Sequence, residues 1–412
     1  MIARRFAIVS SFLSRINSKK TIQKLSTSSK TADPSLLMMD PKPKKTQQFS
    51  KSHVTASPSL SKIDLREAMK MRNDGDLLLT GKVIASEARN SNFIFSPASI
   101  NSAYTMMAAG SRSISDELKA VFSEIATVVF ADGSASGGPK ISAINGIWVE
   151  QSLPTDHSLK DLMEKSFKAT FAQVDFLFKA EEVRCEVNKW ASDQTNGLIK
   201  DLLPPESINR ETIQVYGNAL YFKGAWAIPF HKSRTTNKEF HLLDGASVSV
   251  PFMSNKVDQY VKAYNGFKVL RLPYRQSDDD INREYSMYFY LPDKKDGLDM
   301  LVRKMTSTPG FVDNHIPSHK VEVSDFRIPK FKISFMFDAS KGEVSMYHKA
   351  CVEIDEEGAT AAAATAFRLV SYSPGLKINF VADHPFLFLI REDRTGTILF
   401  AGQIFDPSKK SS

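Results

Sequence analysis

Apolar residues change their spacing along the chain, and the change divides it into an early helical part and a late strand-rich part. Leu65, Ala68 and Met69 follow Ser61-Lys62-Ile63-Asp64, where a serine cap with an acid three residues on marks a helix start. Ile100, Ala103 and Met107 keep the helical spacing between Ser96 as cap, Pro97 in the first helical position and a stop at Gly110. Further on the period shortens to two. Tyr285, Met287, Phe289 and Leu291 share one side of a strand ending at Pro292, and Phe331, Ile333, Phe335 and Phe337 do the same within residues 330–338. Residues 381–391 and 397–405 read as two more strands, joined into a hairpin by Glu392-Asp393-Arg394-Thr395-Gly396. There is no regular βαβ alternation and no internal repeat, so the pattern predicts an α+β fold.

Composition adds a sizeable core, since 42% of the 412 residues are apolar. No stretch approaches the roughly 20 consecutive apolar residues of a spanning helix, so no membrane role is expected. The net charge of +8 is local: residues 1–62 hold twelve Lys or Arg against two Asp, and the remainder is slightly acidic. A basic folded surface is therefore unsupported, and nucleic acid is not expected as a partner. Two cysteines, Cys185 and Cys351, make no disulfide scaffold and read as small apolar fillers.

Residues 1–38 are basic and rich in Ser and Thr, with Ile2, Phe6, Val9, Leu13 and Ile16 at helical spacing. That is the pattern of an organelle transit peptide; equally, Met38 or Met39 serves as the start and residues 1–38 are a non-native extension. The body is then cytoplasmic or extracellular, and mitochondrial or plastid targeting follows only from translation at Met1. Residues 39–60, rich in Pro, Ser and Lys, read as a disordered linker, and residues 408–412 as a tail.

Catalytic chemistry leaves little trace. The eight histidines form neither His-Glu-x-x-His nor a Cys/His metal spacing, and no phosphate-binding glycine pattern occurs, so no metal and no cofactor are expected. Gly133-Ser134-Ala135-Ser136-Gly137 puts alanine where a nucleophile elbow needs serine and reads as a surface turn. Asp278-Asp279-Asp280 and Glu356-Glu357 read as solvated acids. The chain is not expected to be an enzyme.

One stretch fits ordinary structure poorly. Glu356-Glu357-Gly358 is followed by Ala359-Thr360-Ala361-Ala362-Ala363-Ala364-Thr365-Ala366, too short for an isolated helix and continued by a segment that alternates as a strand would. Counting by twos puts Ala359, Ala361, Ala363, Thr365, Phe367 and Leu369 on one face. A segment with such small side chains can lie exposed or slide into a sheet.

This stretch resembles the hinge of the serpin family, and Phe380-Val381-Ala382-Asp383-His384-Pro385-Phe386 is similar to its plant branch. Asn218-Ala219-Leu220-Tyr221-Phe222-Lys223-Gly224-Ala225-Trp226, Phe95-Ser96-Pro97-Ala98-Ser99-Ile100 and Leu399-Phe400-Ala401-Gly402 agree in order. The resemblance implies one serpin domain over residues 61–407: a large central β-sheet, further sheets, a helical shell and an exposed reactive-centre loop at residues 358–379. It implies a monomeric inhibitor of serine, and also cysteine, proteases that acts as a suicide substrate. The hinge is Glu356, Glu357, Gly358, Ala359, Thr360, Ala361, Ala362, Ala363 and Ala364. Counting from Glu356 puts the reactive bond at Tyr372-Ser373, which favours a chymotrypsin-like target. Arg368 and Leu369 are the alternative bait residues. Short connections after Gly110 and Ser340 keep open a second expectation, a serpin-fold protein without inhibitory power. The Ser96-Pro97 and Asn218–Trp226 motifs are expected to be scaffold.

Overall fold

The computed structural model describes residues 62–109, 116–155, 157–280, 282–338, 344–357 and 378–409. Among the described residues the fold is α+β, with three sheets. The helix that begins at Lys62 runs to Glu87 (α1), and Phe93–Phe95 forms the short strand β1. Helix α2 spans Pro97–Ala109; Ser96 caps it as its pattern predicts, its hydroxyl accepting from the Ser99 amide at 3.2 Å. Helix α3, Asp116–Glu124, ends in a π-helical turn at Ile125–Val129. After it come β2 (Lys140–Glu150), α4 (His157–Ser166), β3 (Ala169–Val174), α5 (Phe176–Gln194) and β4 (Gln214–Lys223).

The second half is mostly strand: β5 (Thr236–His241), β6 (Ser247–Met253), β7 (Tyr260–Tyr264), β8 (Phe267–Pro273) and β9 (Tyr285–Pro292). Helices α6 (Leu298–Ser307) and α7 (Phe311–Asn314) precede β10 (Val323–Pro329), β11 (Phe331–Asp338) and β12 (Val344–Ile354). The chain closes with β13 (Ile378–Val381), β14 (Phe386–Glu392) and β15 (Ile398–Ile404).

The sheet orders are β1-β15-β14-β9-β8-β7, β13-β10-β6-β5 and β11-β12-β4-β2-β3. Helix α2 packs against β4 of the five-stranded sheet and β15 of the six-stranded one, and Phe93 meets Phe335 edge-on at 4.8 Å, so the main core fills the space between these sheets. Helix α1 packs on α6 at Gly81, where a Cβ would stand 2.5 Å from the Thr306 methyl; only glycine allows that approach. A second core lies on the other face of the five-stranded sheet, under α5, and includes Trp148, Phe176, Val187, Leu202, Val215, Tyr347 and Cys351.

Four sequence expectations change. Strand β9 is buried at all eight positions, because its second face also meets protein: the Ser286 and Tyr288 hydroxyls donate to Asp393 at 2.6 and 2.7 Å. The strand expected over residues 381–391 is two strands, β13 and β14, in different sheets; Pro385 stands between them and cannot donate to a ladder. Ile378 and Asn379, assigned to the loop, belong to β13, since Phe380 is fully buried and its neighbours pair parallel with β10. Cys351 is a buried filler, whereas Cys185 is exposed on α5, facing Glu181 and Arg184. The turn at residues 133–137 is a surface 3-10 turn, as its glycines predict.

Between α1 and α2 lies a buried acid. Asp76 accepts from the Asn101 amide and stands 3.6 Å from the Arg72 guanidinium. Burial pushes its pKa up to about 6, although Arg72 opposes the rise.

Candidate functional site

Strands β4 and β12 lie side by side in the middle of the five-stranded sheet and run parallel, from Gln214 opposite Val344 to Phe222 opposite Val352. Their outer neighbours, β2 and β11, are antiparallel to them. A segment that leaves the end of β12 and turns back would run antiparallel to both strands of this seam. That is the arrangement in which an added strand finds hydrogen-bond partners on both sides. Residues 355–357 follow β12 directly; of the hinge, Glu356 and Glu357 are described, and Gly358 to Ala364 lie outside the described residues, as do Arg368, Leu369, Tyr372 and Ser373.

The seam's end at the loop is fastened by backbone and charge. The Trp226 and Phe230 amides donate to the carbonyls of Glu357 and Glu356 at 3.2 and 2.9 Å, and the Trp226 indole donates to the Asp355 carbonyl at 2.8 Å. Trp226 is held flat by stacking on Tyr274 at 4.6 Å. Glu356, expected to be solvated, is instead 5% exposed: Lys330 donates to one carboxylate oxygen at 2.6 Å and Thr235 to the other at 2.8 Å. Burial alone would raise its pKa; the Lys330 and Thr235 hydrogen bonds outweigh that and hold it below the usual carboxylate range. Glu357 reaches Lys232 at 2.6 Å on the surface.

The middle of the seam is crossed by side chains on its inner face. His348 of β12 meets Asn218 of β4, its Nδ1 at 2.5 Å from the Asn218 Oδ1. That oxygen also accepts from the Ser99 hydroxyl at 2.8 Å, while the Asn218 amide donates to Asn145 of β2 at 2.6 Å. The Ser96 amide donates to His348 Nε2 at 3.3 Å. Nε2 is therefore the acceptor and Nδ1 carries the proton, so the ring is neutral. Burial pushes its pKa down to about 3. The Ser96-Pro97 and Asn218 motifs, expected to be scaffold, thus clasp the two strands that an insertion would part. Sequence reading missed His348 and Lys330. A histidine inside an apolar, alternating strand was the one available signal for the first; nothing local marks the second.

The outer face is covered by α5 and by the connector of residues 195–213 between α5 and β4. Glu150, at the end of β2, accepts from the Phe176 and Leu177 amides at 2.7 and 3.3 Å and so caps the start of α5 from the sheet.

Comparison with known proteins decides the family. The model of the family described as Serpin (serine protease inhibitor) matches residues 78–343 and 336–407. The chain belongs to the serpin family. Serpin-Z2 of Arabidopsis thaliana is 56% identical over 96% of this serpin and 99% of its own length. Serpin-Z1 of the same plant is 58% identical over 84% and 97%. A third Arabidopsis relative, 57% identical over 84% of this chain and 86% of its own, is named "Probable non-inhibitory serpin-Z5". Among solved structures, Arabidopsis AtSerpin1, titled a native stressed conformation, superposes with a TM-score of 0.78 at 44% identity, covering 85% of this chain and all of its own. The chain is thus a plant-type serpin, from a family of protease inhibitors.

Proposed function

We propose that this serpin inhibits a serine endopeptidase of chymotrypsin-like preference as a suicide substrate. The seam between β4 and β12 carries the reading: two parallel strands, one leading straight into the alanine-rich segment, clasped by hydrogen bonds that an inserted antiparallel strand would replace. In the proposed sequence the protease serine attacks the Tyr372 carbonyl, the amine of Ser373 leaves, and an ester joins Tyr372 to the enzyme. Freed of its far anchor, the segment from Ala359 onward enters the seam. The ten positions of β4 offer a ladder about 33 Å long, and small residues at 359, 361 and 363 fit its buried face. New strand pairing supplies the driving force, and the enzyme is distorted before water cleaves the ester. Arg368 and Leu369 as bait would redirect the preference, and a cysteine protease would form the corresponding thioester.

Two observations favour a second reading. Only residues 110–115 separate α2 from α3, and a relative of 57% identity carries a non-inhibitory name; without trapping, the chain would be a serpin-fold binding protein. Incubation with chymotrypsin separates the two. An SDS-resistant adduct supports inhibition, and clean cleavage with no adduct overturns it.

A further inference from the structure

The clasps described so far lie at the loop end of the seam and on its inner face. A separate one lies on the outer face. Tyr347 of β12 is 4% exposed, and its hydroxyl donates to the Ser207 carbonyl in the connector at 2.9 Å. Its cross-seam neighbour is Gly217, which has no side chain; a Cβ there would meet the Trp148 ring at 2.9 Å and Leu202 at 3.0 Å. The phenol leaves β12 on the outer face of the sheet and ends on the connector.

The connector is tied to α5, which packs on β2 on the far side of the seam. The Asn188 side chain of α5 donates to the Leu203 carbonyl at 2.8 Å and accepts from the Leu203 amide at 2.7 Å, and Arg184 donates to the same carbonyl at 3.1 Å. Leu202, Leu203 and Ile208 are buried with α5 residues and with Val215 and Ala219 of β4. Neighbouring strands lie about 4.8 Å apart, so a strand added at the seam carries β12 to about twice that distance from β4. The Tyr347–Ser207 bond cannot span such a gap while the connector stays with α5.

We infer that Tyr347 is a strap across the insertion seam, a positioning residue that sets how readily the sheet opens. This inference rests on the insertion reading above. Lys349, whose ammonium donates to the Lys200 carbonyl at 2.6 Å from the same strand, reinforces the strap from its more exposed neighbouring position. Opening breaks the Tyr347 bond, so its loss lowers the barrier in the uncut protein and leaves the inserted form untouched.

The test uses the full chain and Tyr347→Phe, which keeps the ring and removes the hydroxyl alone. A synthetic peptide of residues 359–370 is the probe, its uptake into the seam followed by a shift in native gel mobility. Tyr347→Phe should take up the peptide about fivefold faster than the parent, the size expected for one buried neutral hydrogen bond. Its uncut form should melt lower, while the form cut within the loop melts as the parent's does. Unchanged uptake, or equal melting shifts in both forms, overturns the strap. A parent chain that neither takes up the peptide nor forms a protease adduct overturns the insertion reading, and the strap with it. Lys349→Gln, on the same elements, should accelerate uptake to a smaller degree.

Discussion

Acidification from pH 7 to 5 acts on two buried groups of this serpin in opposite directions. His348 is neutral in the fold with its pKa near 3, against about 6.5 unfolded, so the unfolded chain takes up the proton first. Its contribution to stability is present above pH 6.5 and is lost as the pH falls toward 3; by pH 5 the loss is about 2 kcal/mol. Asp76 behaves in the reverse sense. Its pKa is raised to about 6 in the fold, so the fold takes up the proton first and gains about 1 kcal/mol between pH 7 and 5. The parent chain keeps the difference, a net loss of about 1 kcal/mol over this range. Single variants should separate them: urea unfolding of Asp76→Asn should show a loss of about 2 kcal/mol over this range, and His348→Gln a gain of about 1 kcal/mol. The readout is the slope with pH, which is independent of how far either variant shifts overall stability. Slopes in both variants that match the parent would refute the assignment of a neutral, seam-crossing His348 and of a buried, protonatable Asp76.

Other expectations concern the seam and the loop. Glu356→Gln removes the charge behind the Lys330 hydrogen bond and should cost the uncut form about 1–2 kcal/mol, read as a lower melting temperature. Trp226→Phe keeps an aromatic ring against Tyr274 but loses the bond to the Asp355 carbonyl; it should cost about 1 kcal/mol and loosen the loop end of the seam, read as faster hydrogen exchange at residues 355–357. Ala361→Arg places a charge on the face that insertion buries, so chymotrypsin should cleave this variant without forming an adduct. Cutting the parent within the loop should raise its melting temperature sharply; an unchanged value would remove the stored free energy that trapping needs.

The sequence singles out the segment proposed to insert and leaves the contacts around the seam hidden. The alanine run after Glu357 departs from both helical and ordinary strand composition, so it can be read without a partner in view. Ser96 and Pro97 likewise reveal a helix start, because capping is local chemistry. Lys330 and Glu356 lie 26 residues apart, Ser96 and His348 252 apart, and Tyr347 and Ser207 140 apart. No local pattern encodes such meetings; they exist only once the sheet order is set. Burial misled in the same way at Glu356 and along β9, since adjacent acids and simple alternation predict solvent on a side that another layer of the fold covers.

The six-stranded sheet places β15 and β14 between β1 and β9, so strands made after every other described strand fill its interior. Phe93–Phe95, made near the start of the described chain, therefore waits through some three hundred residues of synthesis for Ala401–Gln403 to pair with it. Until the carboxy-terminal hairpin leaves the ribosome, β1 and one edge of β9 lack these ladder partners and are open to chance pairing. Nascent chains stopped short of Ile398 should therefore be captured by chaperones or aggregate, whereas chains released after Ile404 should reach a protease-resistant state.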